Sequence, residues 1–247
     1  MRTRGLIVPA LTLLAWELAA RLGWLPPNWL PAPTVVGQTL VALGVSGELG
    51  EHVISTLARL LLGFALGAAL GTLLGVSCAR SEKLRGLLDP SLQALRSIPS
   101  LAWVPLFLLW LGIQETSKVA LIAVGAFFPV YLNLLSGILS IDRRLVEVGQ
   151  MNGYEGWALS RHVLIPAALP AYLTGLRSGL GLSWMFVVAA ELLGASRGLG
   201  YLMVDGQSTS RIELVLAAIF SFALLGKLSD WLLQALETKL SPWRAAA

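Results

Sequence analysis

Residues 60–77 read LLLGFALGAALGTLLGVS, a run that contains no charged side chain. A stretch of this length and composition predicts a membrane-spanning helix, because about 20 apolar residues are needed to cross a bilayer core. Glycine recurs at every fourth position of this run, at Gly63, Gly67, Gly71 and Gly75. That spacing puts the four glycines on one helix face, where a second helix can approach closely. The stripe favours packing inside one subunit, with a contact between subunits as the alternative.

The composition of the whole chain extends this prediction. Of the 247 residues, 56% are hydrophobic and 13% are charged, and the mean hydropathy is +0.74. Soluble domains carry about 25% charged residues, so we expect a membrane protein. The single cysteine excludes an internal disulfide framework and a cysteine-rich metal site. The net charge of +4, without a basic run that alternates with aromatic residues, argues against nucleic-acid binding.

Six segments have the length and apolar character of membrane spans, and turn-forming or charged residues separate them. They lie near residues 5–22, 52–79, 88–111, 118–140, 171–193 and 212–236. The predicted fold class is therefore an all-α membrane protein with six transmembrane helices, a single domain over 1–247. Arg2 and Arg4 precede the first apolar run as in a signal peptide, but no small-residue cleavage site follows it. We therefore interpret this segment as an uncleaved span.

The distribution of lysine and arginine predicts the orientation in the membrane. One set of connecting segments and termini holds Arg2, Arg4, Arg80, Lys83, Arg85, Arg143, Arg144, Arg161, Lys239 and Arg244. The other set holds Arg21, Lys118, Arg197 and Arg211. Positive residues are enriched on the cytoplasmic side of membrane proteins. Both termini and the segment 142–170 are thus predicted to be cytoplasmic.

The segment 142–170 contains the stretch GQMNGYEGWALSRHVLIP at 149–166. Asp142 is a predicted N-cap for a helix over 143–150, and residues 155–162 can form a second short helix. The Asn152-Gly153 pair predicts the turn between them, and Pro166 and Pro170 mark the entry to the fifth span. The segment is rich in apolar side chains, so the pattern fits equally a contact surface for a partner and a connector that packs on the chain's own helix ends. These side chains are Met151, Tyr154, Trp157, Leu159, Val163, Leu164 and Ile165.

The spacing in this segment resembles the coupling loop of the membrane subunits of binding-protein-dependent ABC importers. The family pattern is E-A-A, three residues, G, nine residues, and then I-x-L-P. Glu147-Val148-Gly149 stands in the place of E-A-A, and Gly153 follows after three residues. Val163-Leu164-Ile165-Pro166 follows after nine more residues, in the place of I-x-L-P. Val148 and Gly149 replace alanines, and Asn152 replaces an apolar residue. Because glycine costs about 1 kcal/mol relative to alanine in a helix, we expect Gly149 to loosen the first helix.

Other segments resemble one branch of this family, which imports nitrate, sulfonates, taurine or bicarbonate. They read LRSIPSLAWVPL at 95–106, GAFFPVYLN at 125–133, AELLGA at 190–195 and GLGY at 198–201. The same branch includes importers of thiamine-precursor pyrimidines and other small organic compounds. The resemblance therefore implies a small, anionic solute as the first hypothesis and a pyrimidine or other organic compound as the alternative.

The resemblance implies a type I ABC importer permease in the bacterial inner membrane. Two copies of the chain form the pathway, two cytoplasmic ATPase subunits bind the hairpins, and a periplasmic or lipid-anchored solute-binding protein docks outside. The chain contains no G-x-x-x-x-G-K-[ST] phosphate loop, so ATP and Mg²⁺ belong to the partner and the chain is predicted to be non-catalytic. The residues that the resemblance assigns to ATPase coupling are Glu147, Gly149, Asn152, Gly153, Tyr154, Trp157, Val163, Ile165 and Pro166.

Charged residues inside the spans are candidates for the solute pathway, because a charge that faces lipid costs a few kcal/mol. Arg96, Arg177 and Glu191 are such candidates, and Trp103 and Trp184 could line the same cavity. The arginines predict an anionic solute. The alternative for each charge is snorkelling to the headgroups or pairing between helices.

Two other classes of function receive less support. A secondary transporter needs internal repeats and its own midplane site, and the halves of this chain show no convincing repeat. An intramembrane enzyme needs a nucleophile with a base, but His52 and His162 have no motif partner, and neither HExxH nor GxSxG occurs.

Overall fold

The computed structural model describes residues 7–99 and 102–240. These residues are mostly helical, and no β-strand occurs among them, which confirms the all-α prediction. The helices are α1 (Ile7–Arg21), α2 (Pro33–Ser46), α3 (Glu48–Arg80), α4 (Glu82–Arg96), α5 (Trp103–Leu111), α6 (Glu115–Leu139), α7 (Arg143–Met151), α8 (Gly156–Leu159), a π-helical turn (Ser160–Leu164), α9 (Ile165–Leu192), α10 (Leu199–Ser208) and α11 (Ile212–Leu240).

Four helices of the described chain are long and apolar enough to cross a membrane. They are Glu48–Arg80, Glu115–Leu139, Gly156–Leu192 and Ile212–Leu240, and they correspond to the predicted second, fourth, fifth and sixth spans. Of the predicted span 5–22, residues 5 and 6 lie outside the described residues, and α1 covers 15 residues. Among the described residues, four helices and not six have the length and apolar character of a membrane span, so the predicted count is not reproduced there.

The prediction of one continuous span over 88–111 is wrong. Helix α4 ends at Arg96 and α5 begins at Trp103. Pro99 lies in the break, where it lacks a backbone N–H and disfavours the helical conformation of the residue before it. Neither helix has the length of a span, since α4 contains 15 residues and α5 contains nine.

Helix α4 buries one face and leaves the other exposed. Its leucines at 84, 88 and 92 pack against a core of Cys78, Tyr131 and Leu135. The Tyr131 hydroxyl donates a hydrogen bond of 2.9 Å to Asp89 Oδ1, so the phenol has a partner at the edge of this core. The helix is therefore amphipathic, a pattern that the sequence analysis did not separate from a spanning segment.

The chain forms two compact units, one of Met1–Leu57 with Glu191–Leu225 and one of Ala58–Ala190 with Gly226–Ala247. In the first unit, apolar side chains of α2, α10 and α11 form a core. Its buried members are Val36, Leu43, Leu202, Leu214, Ala217 and Ala218.

In the second unit, the glycine stripe of α3 lies directly against α6. A Cβ atom placed on Gly63 would lie 2.5 Å from Ile122 Cβ, and one on Gly71 would lie 2.8 Å from the Phe127 carbonyl oxygen. Gly67 and Gly75 meet the same helix at Ala123 and Leu134. The stripe thus packs within the subunit, which is the interpretation that the sequence favoured.

Candidate functional site

The first helix of the segment 142–170 begins and ends as the sequence predicts. We call residues 142–166 the coupling hairpin. The Asp142 carboxylate accepts a 2.9 Å hydrogen bond from the Arg144 backbone N–H, so it caps α7. At the other end, Asn152 Nδ2 donates to the Val148 carbonyl at 2.8 Å, and Gly153 turns the chain with a φ of +79°. A positive φ favours glycine, so the predicted turn at Gly153 is confirmed.

Gly149 is buried where α7 contacts the helix that follows it. A Cβ atom at this position would lie 2.8 Å from both Leu159 Cδ1 and Val163 Cγ2. The absence of a side chain therefore lets the two arms of the hairpin lie close together. The sequence argument considered only helix propensity, which is why it expected Gly149 to loosen α7 and missed this contact.

The second arm of the hairpin is not a separate short helix. Residues Gly156–Leu192 form one helical run, in which α9 begins at Ile165 and Pro170 lies inside α9. The turn Ser160–Leu164 is π-helical, with the Ile165 N–H donating to the Ser160 carbonyl. A π turn changes the hydrogen-bond register locally, and Pro166, which cannot donate, directly follows that change. Pro166 therefore lies in the first turn of α9, as predicted, while the helical run continues without a break from the hairpin into the span.

Several side chains of the hairpin point away from its interior. Met151 is 87% exposed and Trp157 is 71% exposed. Ile165 is also exposed. The Tyr154 ring stacks on the His162 ring, with 4.8 Å between the centroids. Exposed apolar side chains in a cluster are typical of contact surfaces.

The remaining coupling candidates have structural partners or inward positions. Glu147 forms an exposed ion pair with Arg143, with 3.1 Å between Oε1 and Nε. Val163 packs inward on Gly149, and Asn152 caps α7 as described. The hairpin thus combines residues that hold its two arms together with residues that are free to meet a partner.

Two of the five predicted pathway residues lie together at a cavity of about 430 Å³. Arg96 and Trp103 belong to its lining, and most of the rest of the wall is formed by α6 and α9. The other lining residues are Ile98, Val124, Gly125, Phe128, Pro129, Leu132, Asn133, Leu182 and Phe186. The sequence analysis did not single out Asn133 or Phe186. A polar residue inside the apolar run of α6 was the available signal for Asn133, whereas nothing distinguished Phe186 from a core residue.

Arg177 is held between two acidic residues of α11. Its Nη2 lies 3.0 Å from Asp230 Oδ1, and its Nη1 lies 3.2 Å from Glu237 Oε2. Lys227 adds a longer contact of 3.8 Å to Asp230. This is the helix-to-helix pairing that the sequence analysis kept as the alternative for Arg177, and Arg177 is not part of the cavity lining.

Trp184 and Glu191 also have structural partners. Trp184 Nε1 donates to Ser229 Oγ at 2.9 Å. Glu191 is 1% exposed and accepts hydrogen bonds from Thr56 Oγ1 at 2.9 Å and from the Gly200 N–H at 2.8 Å. A buried carboxylate needs such donors, and here they include the first turn of α10.

The start of α10 shows why Glu191 is placed there. The first N–H groups of a helix have no partner within the helix. The Leu199 N–H donates to Thr56 Oγ1 at 2.9 Å, and the Gly198 N–H donates to His52 Nδ1 at 3.1 Å. His52 and Glu191 therefore act as capping groups in the first unit, and neither lines the cavity.

The described residues include no group of three or more His, Cys, Asp or Glu side chains that could hold a metal ion. Their polar chemistry is that of ion pairs, helix caps and cavities with an arginine in the lining. Such a set can orient an anion or stabilise helices.

Comparison with known proteins agrees with this picture. Residues 71–242 match the family described as binding-protein-dependent transport system inner membrane component. The chain is 43% identical over 241 residues to the "Putative aliphatic sulfonates transport permease protein SsuC" of Bacillus subtilis (strain 168), covering 98% of this chain and 87% of that protein. It is 35% identical over 239 residues to the taurine transport system permease protein TauC of Escherichia coli (strain K12). That match covers 95% of this chain and 87% of that protein.

A solved structure shares the fold. The crystal structure of an amino acid ABC transporter with histidines has a TM-score of 0.63 and 17% identity, and it covers 82% of this chain and 97% of that chain. The family names a membrane component of a transport system, in agreement with the expected non-catalytic role. Because the family match covers more than half of the chain and the relatives are similar over nearly all of it, this protein belongs to the inner membrane components of binding-protein-dependent transport systems.

Proposed function

We propose that this chain is the membrane-spanning subunit of an ATP-driven importer of aliphatic sulfonates. Two copies form the translocation pathway, and each coupling hairpin binds one cytoplasmic ATPase subunit. A solute-binding protein delivers the sulfonate from outside the membrane. The names of the relatives support the sulfonate class, since one concerns aliphatic sulfonates and another concerns taurine.

The observation that best supports the coupling role is the exposed apolar surface of the hairpin. Trp157 and Met151 are among its most exposed side chains, while Gly149 is buried where the two arms meet. A large aromatic side chain that enters a partner's pocket contributes about 2 kcal/mol or more to binding. The partner surface that fits this hairpin is therefore an apolar groove with room for an indole ring.

The continuity of the second arm gives the hairpin a mechanical route into the membrane. Residues 156–192 form one helical run, so a displacement at Trp157 moves the cytoplasmic end of a spanning helix. ATP binding draws the two ATPase subunits together, and the seated hairpins turn that movement into a change between inward-open and outward-open states. ATP and Mg²⁺ are bound by the ATPase subunits, because this chain contains no phosphate-binding loop. With both termini cytoplasmic, the hairpin faces the same compartment as ATP.

Substitution of the turn glycine tests the coupling role. Gly153 has a φ of +79° and open space around it, so Gly153→Arg strains the turn and adds a charge at the tip. We expect membrane insertion to persist, while transport and solute-stimulated ATP hydrolysis by the reconstituted importer are lost. Gly86→Arg is the matched control. Gly86 is an exposed residue of α4, and nothing lies within 4 Å of a Cβ atom added to it. Unchanged stimulation in Gly153→Arg would refute the coupling role.

The cargo is tested on the solute-binding protein that we propose as the partner of this chain. We expect it to bind ethanesulfonate and related compounds in a calorimetric screen that includes taurine, nitrate, bicarbonate and a thiamine-precursor pyrimidine. Binding of the pyrimidine alone, or of an inorganic anion alone, would overturn the sulfonate assignment. The proposed division of labour between membrane and ATPase subunits would stand in that case.

A further inference from the structure

One residue of the cavity lining carries a positive charge. This residue is Arg96, which ends α4, and its Nη1 approaches the neutral Gln93 Oε1 at 3.4 Å. In the described chain, no carboxylate lies within ion-pairing distance of Arg96. Arg177 differs in this respect, because it forms ion pairs with Asp230 and Glu237. Arg96 is therefore the arginine of the two whose charge is not balanced by a carboxylate, so it is available to an anion.

Much of the remaining lining of the cavity is apolar. It includes Phe128, Leu182 and Phe186, and Phe186 is 5% exposed. A Cβ atom at Gly125 would lie 2.6 Å from Phe186 Cδ2, so the glycine leaves room for this ring. The Phe186 ring is thereby held in place against α6.

The other polar groups in the lining are neutral. Asn133 Nδ2 donates to the Pro129 carbonyl at 2.8 Å, which fixes the amide in the wall. Trp103 contributes an indole ring to the same lining. Among the described lining residues, Arg96 is the charged one and no carboxylate is present.

We propose that this cavity binds a sulfonate group at Arg96 and the hydrocarbon tail against Phe128, Leu182 and Phe186, and that it thereby selects alkanesulfonates over aminosulfonates. The inference rests on the proposed function and deepens it. A guanidinium group forms strong, charge-assisted hydrogen bonds with an oxyanion. An ammonium group in this cavity has no carboxylate partner, and burial of an unpaired charge is unfavourable. Nitrate has no hydrocarbon tail, so it gains no binding energy from the apolar residues of the lining.

Ethanesulfonate and taurine form a matched pair for the test, because they differ only in the ammonium group of taurine. Binding of each radiolabelled compound is measured on the assembled complex of membrane and ATPase subunits in nanodiscs, without the binding protein. The selectivity measured in this way belongs to the membrane subunit. We expect ethanesulfonate to bind at least about tenfold more tightly than taurine, the effect of one uncompensated polar group. Equal affinities would overturn the inference.

Three variants extend the test. Arg96→Gln is expected to weaken binding of both compounds about tenfold, since it removes a hydrogen bond to a charged group. Arg85→Gln is its control, because Arg85 lies on the same helix, approaches Glu82 and does not line the cavity. Asn133→Asp adds a carboxylate with little change in volume, and it should shift the ratio of affinities toward taurine by about tenfold.

Leu182→Glu places the carboxylate at an exposed position of the wall and covers the case in which Asn133→Asp does not assemble. It should shift the ratio of affinities in the same direction. An unchanged ratio in a correctly assembled carboxylate variant, or unchanged binding in Arg96→Gln, overturns the inference. If the wild-type importer transports ethanesulfonate in proteoliposomes, the proposed function stands in spite of that result. If it transports no sulfonate, the proposed function and the inference about the cavity are both overturned.

Discussion

Two glycine-rich regions of this molecule use the same residue for opposite purposes. In α3, the glycines at 63, 67 and 71 lie where an added Cβ would meet atoms of α6 at less than van der Waals distance. In the coupling hairpin, an added Cβ on Gly153 would meet nothing within 4 Å, but the backbone there has a φ of +79°. The first region needs glycine for its small volume, and the second needs it for its backbone freedom.

The difference separates a tightly packed part of the chain from the surface that we propose binds a partner. Close contact between α3 and α6 leaves no room for a change in their spacing, because packed interiors transmit strain and do not deform continuously. The hairpin instead exposes Met151 and Trp157 on either side of a tight turn. Gly149 combines the two cases, since it belongs to the hairpin but is buried against Leu159 and Val163.

The largest expected effect is that of a side chain inside the stripe. Gly67→Leu inserts four carbon atoms where backbone atoms of Ala123 already lie, and the backbone cannot rotate away as a side chain can. We expect destabilisation of about 3 kcal/mol or more, seen as loss of the monodisperse peak in size-exclusion chromatography. Gly226→Ala is the control in α11, since nothing lies within 4 Å of its added Cβ. A well-behaved Gly67→Leu protein would show that α3 and α6 are not tightly packed.

An intermediate effect is expected at the tip of the hairpin. Trp157→Ala removes a side chain that is 71% exposed, so the subunit itself should keep its thermal stability. Binding of the ATPase subunit should weaken about 30-fold, the effect of losing 2 kcal/mol from an aromatic anchor. Trp29→Ala is matched to it, because Trp29 is equally exposed but lies in a segment predicted to face the other side of the membrane. Equal ATPase affinity in both variants would remove Trp157 from the coupling surface.

The smallest effect is expected where the two uses of glycine meet. Gly149→Ala restores the family's usual residue, but its Cβ would contact the ends of the Leu159 and Val163 side chains. Because side-chain ends can move, we expect a loss of about 1 kcal/mol in spite of the better helix propensity of alanine. The melting temperature of the subunit is the measurement, with Val148→Ala as a control on the exposed face of α7. A rise in melting temperature for Gly149→Ala would mean that helix propensity outweighs packing there.

Local features of the fold were predictable because short-range interactions produce them. The Asp142 cap, the turn at Gly153 and four of the spanning helices follow from hydrogen bonds and hydropathy within a few residues. The break in the predicted span 88–111 was missed because the leucines of α4 look like part of a span until their common face is seen to pack against a core.

The candidate site was predictable only in part, because its side chains pair over long distances in the chain. Arg96 and Arg177 were equivalent in the sequence, both as arginines within apolar segments. The acidic partners of Arg177 lie 53 and 60 residues away, on another helix. Glu191 likewise finds Thr56 across 135 residues. No local pattern shows which charge will be neutralised.

The sequence by itself determined that this chain is a helical membrane protein of the binding-protein-dependent transport family and where the hairpin 142–166 lies. Hydropathy and turn chemistry are properties of neighbouring residues, so they can be read along the chain. The tertiary structure alone decided that the hairpin continues unbroken into a span, and which arginine is paired and which faces a cavity. The physical reason is that ion pairs and cavities depend on which helices meet, and helix contacts are set by side-chain shape over the whole fold.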